Sequence, residues 1–441
     1  MARFSTAQAN LSFQWGWWRA AAPADMLRPR RMSRLQAFRS GVVAAAILAA
    51  LGVTRSVLAA PPPARVSVLT MGPGEHPFTR FGHNAILLEW EEASGQHDAV
   101  YNYGTFEFDG LKGVQDFMAG RFRYWVSRST LERTTRAYAA DQRSLVAQEL
   151  ALTADERARL AAALEQNALP AHRYYDYDYY ADNCSTRVRD VLDNLLDGRL
   201  RQSTRGPGRL TFRQHTLRLV GQSTYLYAGL NVALGAATDL PITRWQELFL
   251  PQELHDALAA TQRQLDGRAV PLVQNERLLL KSSRPLPPAE PPERRPSFAL
   301  AGVALGASLF GLGKAASTRP QLRTVFAGLA ALLGLLAGSL GLVFAGFWLF
   351  SKHWAAYRNF SLLLCPPWAL ALVAVGTLVA LGRSRWVLPL QRWLGLLVAP
   401  AVVALGLALL GGRSEAQPLV LLILPIWLGL LLGLQGWIRG D

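Results

Sequence analysis

Cysteine is scarce in this sequence, since its 441 residues include only Cys184 and Cys365. Two cysteines cannot build the disulfide framework that holds small secreted domains together. The chain also lacks a Cys-x-x-Cys pair, a His-Glu-x-x-His helix and any other pair at metal-ligand spacing, so no metal site is predicted. A phosphate-cradling glycine loop is missing as well, and we expect no cofactor.

Charged residues are also few, at 17 % of the chain, whereas hydrophobic residues make up 51 %. This balance favours a membrane protein. The net charge of +15 raises nucleic-acid binding as an alternative. However, many arginines cluster near the N-terminus or flank apolar runs, and no basic stripe alternates with aromatic residues. We therefore relate the charge to membrane topology and expect no nucleic-acid partner.

The composition divides the chain into four parts. Residues 1–60 form an N-terminal extension and a signal peptide or anchor, because Met32–Pro63 shows a basic region, an apolar region and small residues before a proline run. Residues 64–274 have the composition of a globular domain. Residues 282–297 are a proline-rich linker. Residues 298–441 are predicted to form a membrane domain with about five transmembrane helices.

The five spans are expected at about residues 298–312, 324–350, 361–381, 393–410 and 418–438. Lysine and arginine are more numerous in the connections after the first and third spans than in the other connections. Under the positive-inside rule, these two connections face the cytoplasm and the globular domain is exported. The signal-like segment and the charge bias thus predict the same orientation.

The exported domain is predicted to be α+β, followed by an all-α membrane domain. Strands are expected in ARVSVLTMG, FGHNAILLEW and DAVYNYGTFEF, with EEASGQH as a hairpin connection. One amphipathic helix begins with a capping box formed by Thr153 and Glu156. A second helix begins near Cys184 and ends at Gly198.

Cys184 lies in YYADNCSTRVRD, at the start of the second helix. If Asn183 or Cys184 is the N-cap, free backbone N–H groups and the helix dipole favour the thiolate, which is the nucleophilic form. The N–H of Ser185 is then a candidate oxyanion donor, and Arg187 a supporting positive charge. The alternatives are an inert buried cysteine, a disulfide with Cys365, and a metal ligand.

A nucleophilic cysteine needs a base, and His83 is the preferred histidine because it follows a glycine at the start of an apolar strand. A purely structural histidine is the alternative. The base in turn needs an orienting group. A hairpin around residues 93–96 places His83 opposite residues 103–107, which slightly favours Glu107 over Asn102. Both could instead be ordinary cross-strand partners.

Several motifs in a fixed order resemble those of a known family: FGHNAILL, VYNYGTFEF, ADNCSTRVRD, TFRQHTL and FLPQELHDAL. Over about residues 64–260 the chain resembles the Lnb-type bacterial lipoprotein N-acyltransferases. The resemblance implies a circularly permuted papain-like (NlpC-like) thiol fold, in which the histidine precedes the cysteine. It also implies Cys184 as nucleophile, His83 as base and Asn102 as a candidate third member.

The resemblance further implies a membrane-bound thiol acyltransferase of the bacterial inner membrane, with its catalytic domain on the periplasmic face. A phospholipid is the expected acyl donor and a bacterial lipoprotein the expected acceptor. His353 and Asn359 lie in the first non-cytoplasmic loop and are expected to help close the site, although an interfacial aromatic belt is an equal alternative. The competing functions are a periplasmic thiol peptidase or amidase acting on cell-wall peptides and a non-catalytic envelope scaffold.

Overall fold

The computed structural model describes residues 61–92, 95–107, 109–410, 417–435 and 437. The predicted N-terminal extension and signal segment lie outside these residues. Pro61–Asp441 is one compact unit. It begins with a mixed α/β part, called the sheet part below, and continues into a helical part.

Seven strands form one antiparallel sheet in the order β6-β4-β3-β2-β1-β5-β9. Their bounds are β1 Arg65–Met71, β2 His83–Glu92, β3 Gly95–Thr105, β4 Arg123–Ser129, β5 Leu145–Leu150, β6 Tyr174–Asp176 and β9 Val273–Leu280, and a separate hairpin consists of β7 Gln262–Leu265 and β8 Arg268–Pro271. The predicted β2–β3 hairpin is confirmed, and its register pairs Ala85 with Asn102.

The helices of the sheet part are α1 Gly110–Met118, α2 Leu131–Ala140, α3 Ala154–Ala168, α4 Cys184–Leu195, α5 Arg199–Ser203, α6 Phe212–Val220, α7 Thr224–Ala233, α8 Arg244–Glu247 and α9 Pro251–Ala260. The predicted capping box of Thr153 and Glu156 is present at the start of α3. Helix α4 buries Val188 and Leu192 in one core with Ile86 of β2. This packing holds the start of α4 against the sheet.

The sheet continues beyond the boundary expected at residue 274, because β9 pairs with β5 along Val273–Leu280. This strand reads VQNERLLL, whose polar residues in the middle hid its pairing from the sequence pattern. The first membrane helix, α10, starts at Arg295, where Pro296 occupies its first turn. Residues 281–294 therefore connect the end of β9 to the start of α10.

Within the described residues, three helices are long and apolar enough to cross a membrane: α10 Arg295–Thr318, α11 Pro320–Phe350 and α13 Val387–Leu410, whose apolar stretch begins at Ser384. A fourth span exists if the pair 354–363 and 367–380, bent by 51°, is counted as one. The second half of this pair includes helix α12, Ala371–Ala380. Four of the five predicted spans therefore coincide with such a helix or with the bent pair.

The predicted fifth span falls on helix α14, whose described residues are Gln417–Gly433. It packs closely along α10, where a Cβ at Gly306 would lie 2.3 Å from the carbonyl oxygen of Pro425. Small residues thus allow these two helices to approach closely.

The loop that follows α11, residues 351–370, returns to the sheet part. The backbone N–H of Lys352 donates to the carbonyl oxygen of Ala119 at 3.0 Å. The indole N–H of Trp354 donates to the carboxylate of Asp178 at 2.6 Å. The sheet part is therefore bound directly to the end of a membrane helix.

Candidate active site

Cys184 is the first residue of α4, and Asn183 is its N-cap. The side-chain oxygen of Asn183 accepts the backbone N–H groups of Ser185 and Thr186, each at 2.9 Å. Its amide nitrogen donates to the carbonyl oxygen of Phe249 at 3.0 Å. The backbone N–H of Cys184 has no acceptor in the described part of the chain. Asn183 thus fixes the helix start and leaves this N–H beside the thiol.

His83 begins β2 and lies next to the thiol. Both side chains border Gly104, where a Cβ would lie 3.2 Å from Cε1 of His83 and 3.5 Å from Cβ of Cys184, and each of the two groups shifts the pKa of the other. The Nε2–H group of His83 donates to the side-chain oxygen of Asn102 at 2.9 Å. This bond leaves Nδ1 as the ring nitrogen for the thiol proton. The arrangement of base, thiol and orienting amide is the one that nucleophilic thiol chemistry requires.

The β2–β3 register decides between the two predicted orienting groups. Asn102 pairs with Ala85, which is two residues from His83 and therefore on the same face of the strand. Glu107 lies two residues beyond the end of β3, and its side chain is exposed. The hydrogen bond to His83 is made by Asn102, so the slight preference for Glu107 does not match the geometry.

Gly104 lies against both reactive side chains. The pairing of β3 with β4 shifts between Tyr103 and Thr105, so Gly104 is part of a bulge. Its φ is +126°, and a Cβ there would lie 3.2 Å from Cε1 of His83 and 3.5 Å from the Cβ of Cys184. Sequence reasoning missed this residue, although a glycine within a strand pattern signals a bulge or a close approach.

The Cys184–His83 pair favours its charged form. Burial raises the pKa of the Cys184 thiol, but the charge and hydrogen bond of His83 outweigh burial, and the backbone N–H groups of Asn84 and Ser185 assist, so the pKa is lowered. Burial lowers the pKa of His83, but the charge and hydrogen bond of Cys184, with the bond to Asn102, raise it overall. A thiolate beside an imidazolium is the expected result.

The other predicted residues of the helix start have different partners. The hydroxyl of Ser185 donates to the carbonyl oxygen of Leu248 at 2.7 Å, and its backbone N–H is used by the N-cap. The guanidinium of Arg187 pairs with Asp182 and lies 4.3 Å from the ring centre of Tyr175. The N–H of Ser185 is therefore shared between the N-cap oxygen and the Cys184 thiol, and the charge of Arg187 is directed to Asp182.

Aromatic side chains form a wall beside the thiol, which sequence reasoning also missed. The rings of Tyr124 and Tyr177 stack at 4.0 Å. Burial and then the charge of Cys184 raise the pKa of Tyr177, so its hydroxyl stays neutral near the thiolate. The wall consists of Phe106, Phe117, Phe122, Tyr124, Tyr175 and Tyr177. It was visible in the sequence only as a tyrosine-rich stretch before Cys184.

His353 and Asn359 of the membrane loop lie in different places. His353 donates from Nε2 to the carbonyl oxygen of Phe117 at 2.6 Å, and the two rings are 5.4 Å apart. His353 therefore borders the aromatic wall. Asn359 donates to the carbonyl oxygens of Val232 and Ala233 at 2.8 and 2.9 Å, which ties the loop to α7. Its contacts are those of a structural residue.

The described residues bear on the other interpretations of Cys184. Cys184 and Cys365 are both free, so the disulfide alternative is wrong. Among the described residues, no group of three or more histidine, cysteine, aspartate or glutamate side chains could hold a metal ion. Between an inert thiol and a nucleophile, the proximity of His83 favours the nucleophile.

Residues 59–222 match a known protein family, the Lnb N-terminal periplasmic domain. The matched segment contains His83, Asn102 and Cys184. No curated protein and no solved structure gives a significant match to the chain. The match, together with the apolar helices that follow it, indicates a membrane protein with a periplasmic domain.

Proposed function

Because residues 59–222 belong to the Lnb N-terminal periplasmic domain family, we propose that this protein is a membrane-bound thiol acyltransferase of the bacterial inner membrane. It moves an acyl chain from a phospholipid, through a thioester on Cys184, to the N-terminal amine of a bacterial lipoprotein. The observation that carries this proposal is the contact of Cys184 with His83, itself oriented by Asn102.

In the first half-reaction, the thiolate of Cys184 attacks the carbonyl carbon of a phospholipid ester. The free N–H of Cys184 is placed to stabilise the oxyanion that forms. The bond between the carbonyl carbon and the glycerol oxygen then breaks. The imidazolium of His83 gives its proton to this oxygen, and lysophospholipid leaves an acyl thioester behind.

In the second half-reaction, the neutral imidazole of His83 takes a proton from the amine of the lipoprotein. The amine nitrogen attacks the thioester carbonyl, an amide forms and the carbon–sulfur bond breaks. Cys184 returns as the thiolate beside the imidazolium. Because donor and acceptor react in turn with one residue, ping-pong kinetics are expected.

The papain-like part of the proposal rests on chain order and packing. The cysteine begins a helix that packs on an antiparallel sheet, and the histidine begins a strand of that sheet. His83 precedes Cys184 in the chain, the order expected of a circularly permuted papain-like domain. These features support that assignment.

The Cys184–His83 pair could also cleave an amide bond, so its chemistry alone does not distinguish a lipid substrate from a cell-wall peptide. The position of the site relative to the membrane helices provides a second criterion. Lys352 and Trp354, directly after a membrane helix, bind the sheet part. A soluble peptide substrate does not require this attachment, whereas substrates that lie in the bilayer do. The attachment therefore favours acyl transfer over peptidase or amidase activity.

The decisive experiment is intact-mass measurement of the full-length protein after incubation with phosphatidylethanolamine vesicles. We expect one added acyl mass on the wild type, none on Cys184→Ala, and an unchanged adduct on Cys365→Ala. Absence of an adduct on the wild type, or its persistence in Cys184→Ala, would overturn the proposal. Release of new amino termini from purified cell wall would support the peptidase instead.

A further inference from the structure

A groove of about 910 Å³ opens where the sheet part meets the membrane helices. Its walls come from the segment before β2, the first turns of α7 and α10, and one side of α14. The lining residues are Arg80, Gln222, Ser223, Thr224, Tyr225, Ala228, Arg294, Ser297, Phe298, Ala301 and Leu422. Neither Cys184 nor His83 lines this groove.

The polar end of the groove carries two guanidinium groups and no carboxylate. Arg294 donates from Nη2 to the carbonyl oxygen of Gly221 at 2.7 Å, while its buried Nε has no partner in the described part of the chain. Arg80 donates from Nε to the carbonyl oxygen of Glu75 at 3.1 Å. Both groups keep further N–H donors, which suit a phosphate.

The other end of the groove is apolar and lies at the level of the membrane. Arg294 immediately precedes the membrane helix α10, and Phe298 and Ala301 lie one and two turns into that helix. Leu422 belongs to α14, which packs along α10. The groove therefore changes from cationic to apolar along its length, which complements a phospholipid with its anionic phosphate and apolar chains.

The polar end is also close to the dyad along the chain. Arg80 is three residues before His83, and three residues span at most about 11 Å when extended. Phe81, between them, packs against the core that includes Tyr227 and Phe298 at the top of the membrane helices. The segment therefore runs directly from the groove to the imidazole.

From this arrangement we propose that the groove binds the phospholipid acyl donor, with its phosphate held between Arg80 and Arg294 and an acyl chain along Phe298, Ala301 and Leu422. The glycerol esters then lie on the side of the groove from which the chain leads to His83. The assignment of the lipid as acyl donor rests on the proposed function, whereas binding of a phospholipid does not.

Binding is tested by native mass spectrometry of the full-length Cys184→Ser protein in detergent, titrated with phosphatidylglycerol. We expect Arg80→Gln and Arg294→Gln each to weaken binding about tenfold, since each removes a charge-assisted contact. Arg295→Gln, the matched control, changes the adjacent arginine, which pairs with Glu293 outside the groove, and should bind as the parent does. Equal binding by all variants overturns the site.

Two further ligands separate the parts of the lipid in the same titration. Diacylglycerol has the chains without the phosphate, and inorganic phosphate has the charge without the chains. We expect both to bind at least tenfold more weakly than phosphatidylglycerol. Diacylglycerol binding as tightly as the phospholipid, and equally in Arg294→Gln, contradicts a phosphate site.

The role as donor site is tested by the rate of acyl-adduct formation on Cys184. With phospholipid vesicles and Cys184 intact, Arg80→Gln and Arg294→Gln should be slower by about tenfold, whereas the matched control Arg295→Gln should react at the wild-type rate. A water-soluble p-nitrophenyl ester, which has no phosphate, should acylate Cys184 in the wild type and tests the thiol itself. Wild-type rates from vesicles in both arginine variants overturn the donor assignment. Failure of the soluble ester to acylate the wild type counts against the proposed function, while the binding titration still decides the groove.

Discussion

At the residue scale, the thiol of Cys184 ionises at a place where burial alone would oppose ionisation. Its side chain is 8 % exposed, yet the imidazolium of His83 and two backbone N–H groups lower its pKa. The positions of these two residues, at a helix start and at a strand start, could be predicted from the sequence because both are local patterns. Their contact could not, since 101 residues separate them and only the sheet brings them together.

The lowered pKa of Cys184 predicts rapid alkylation at neutral pH. In the wild type, the rate of iodoacetamide labelling at Cys184 should stay high well below pH 8.5, the usual cysteine pKa. In His83→Ala the charge that outweighs burial is lost, so the midpoint of the pH–rate curve should move upward. Peptide mapping of the labelled protein provides the measurement. Equal midpoints for the two proteins would show that His83 does not hold the thiolate.

The hydrogen bond from His83 to Asn102 predicts that a change of Asn102 slows acylation of Cys184, whereas a change of Glu107 does not. Asn102→Ala should slow acyl-adduct formation about 10²-fold, because the imidazole loses its fixed orientation. Glu107→Ala, which changes an exposed side chain, should react like the wild type. Single-turnover acylation followed by mass spectrometry measures both. The reverse ranking would restore Glu107 as the orienting group.

At the element scale, the candidate site depends on which residues of neighbouring strands are paired, as well as on which segments form strands. The β2–β3 hairpin and the capped helix α3 could be predicted because their signals are local. The choice of Asn102 required the register to within one residue, and β9 required a partner more than 120 residues earlier in the chain, in β5. Long-range pairing leaves little trace in a single strand's sequence.

The bulge at Gly104 makes the dyad sensitive to a single methyl group. Gly104→Ala should reduce Cys184 acylation strongly, because the new Cβ would lie 3.2 Å from the His83 ring and the residue has a φ of +126°. The strain should also destabilise the fold by roughly 1–3 kcal/mol. Gly95→Ala, at a glycine that also has a positive φ but no neighbour within 4 Å among the described residues, separates strain from contact. Comparable acylation losses in both variants would contradict this account.

A buried ion network joins α6 to α8. His215 donates from Nε2 to Glu247 at 2.8 Å and accepts from Arg218 at Nδ1 at 3.1 Å. Burial lowers the pKa of His215, aided by the charge of Arg218, against the raising effect of Glu247. The histidine therefore stays neutral in the fold. This explains TFRQHTL, the motif that contains His215, as a structural element.

The neutral His215 predicts an acid-dependent loss of stability. Below about pH 6.5 the unfolded chain binds a proton at this position that the folded chain does not, so the free energy of unfolding falls as the pH falls. The contribution is up to about 1.4 kcal/mol for one pH unit. Between pH 7.5 and 5.5 the wild type should lose more thermal stability than His215→Gln.

The comparison of variants is needed because the raised pKa values of His83 and His255 contribute the opposite slope. Exposed His172, changed to glutamine, is the matched control and should leave the wild-type slope unchanged. Parallel melting curves for wild type and His215→Gln across this pH range would show that His215 is not neutral in the folded chain.

At the scale of the whole molecule, the loop after α11 and the sheet part lie on the same side of the membrane helices. The exposed side chain of Lys352 lies at the end of α11 beside Ala119 of the sheet part. Exposed Arg383 lies after α12 in a connection predicted to face the cytoplasm. The orientation of the membrane helices is predicted from the charges of their connections. The contact between Lys352 and Ala119 could not be predicted, because it joins segments over 200 residues apart.

The orientation predicts a clear labelling pattern in intact spheroplasts. In a background that lacks both native cysteines, with Cys184→Ala and Cys365→Ala, an impermeant maleimide should label Lys352→Cys, on the periplasmic side. Arg383→Cys should be labelled only after the membrane is permeabilised. Mass shifts on gels or by spectrometry report both sites. Labelling of Arg383→Cys in intact cells, with Lys352→Cys protected, would invert the topology.

If the protein transfers acyl chains as proposed, the attachment of Lys352 to Ala119 and of Trp354 to Asp178 also determines how the reaction responds to substrate supply. A catalytic part held at one height above the bilayer meets its substrates by lateral diffusion. Its rate then depends on the mole fraction of a lipid substrate in the surface and is insensitive to the bulk volume. Diluting the substrate with inert lipid should slow the reaction, whereas diluting the vesicles with buffer should leave each turnover unchanged.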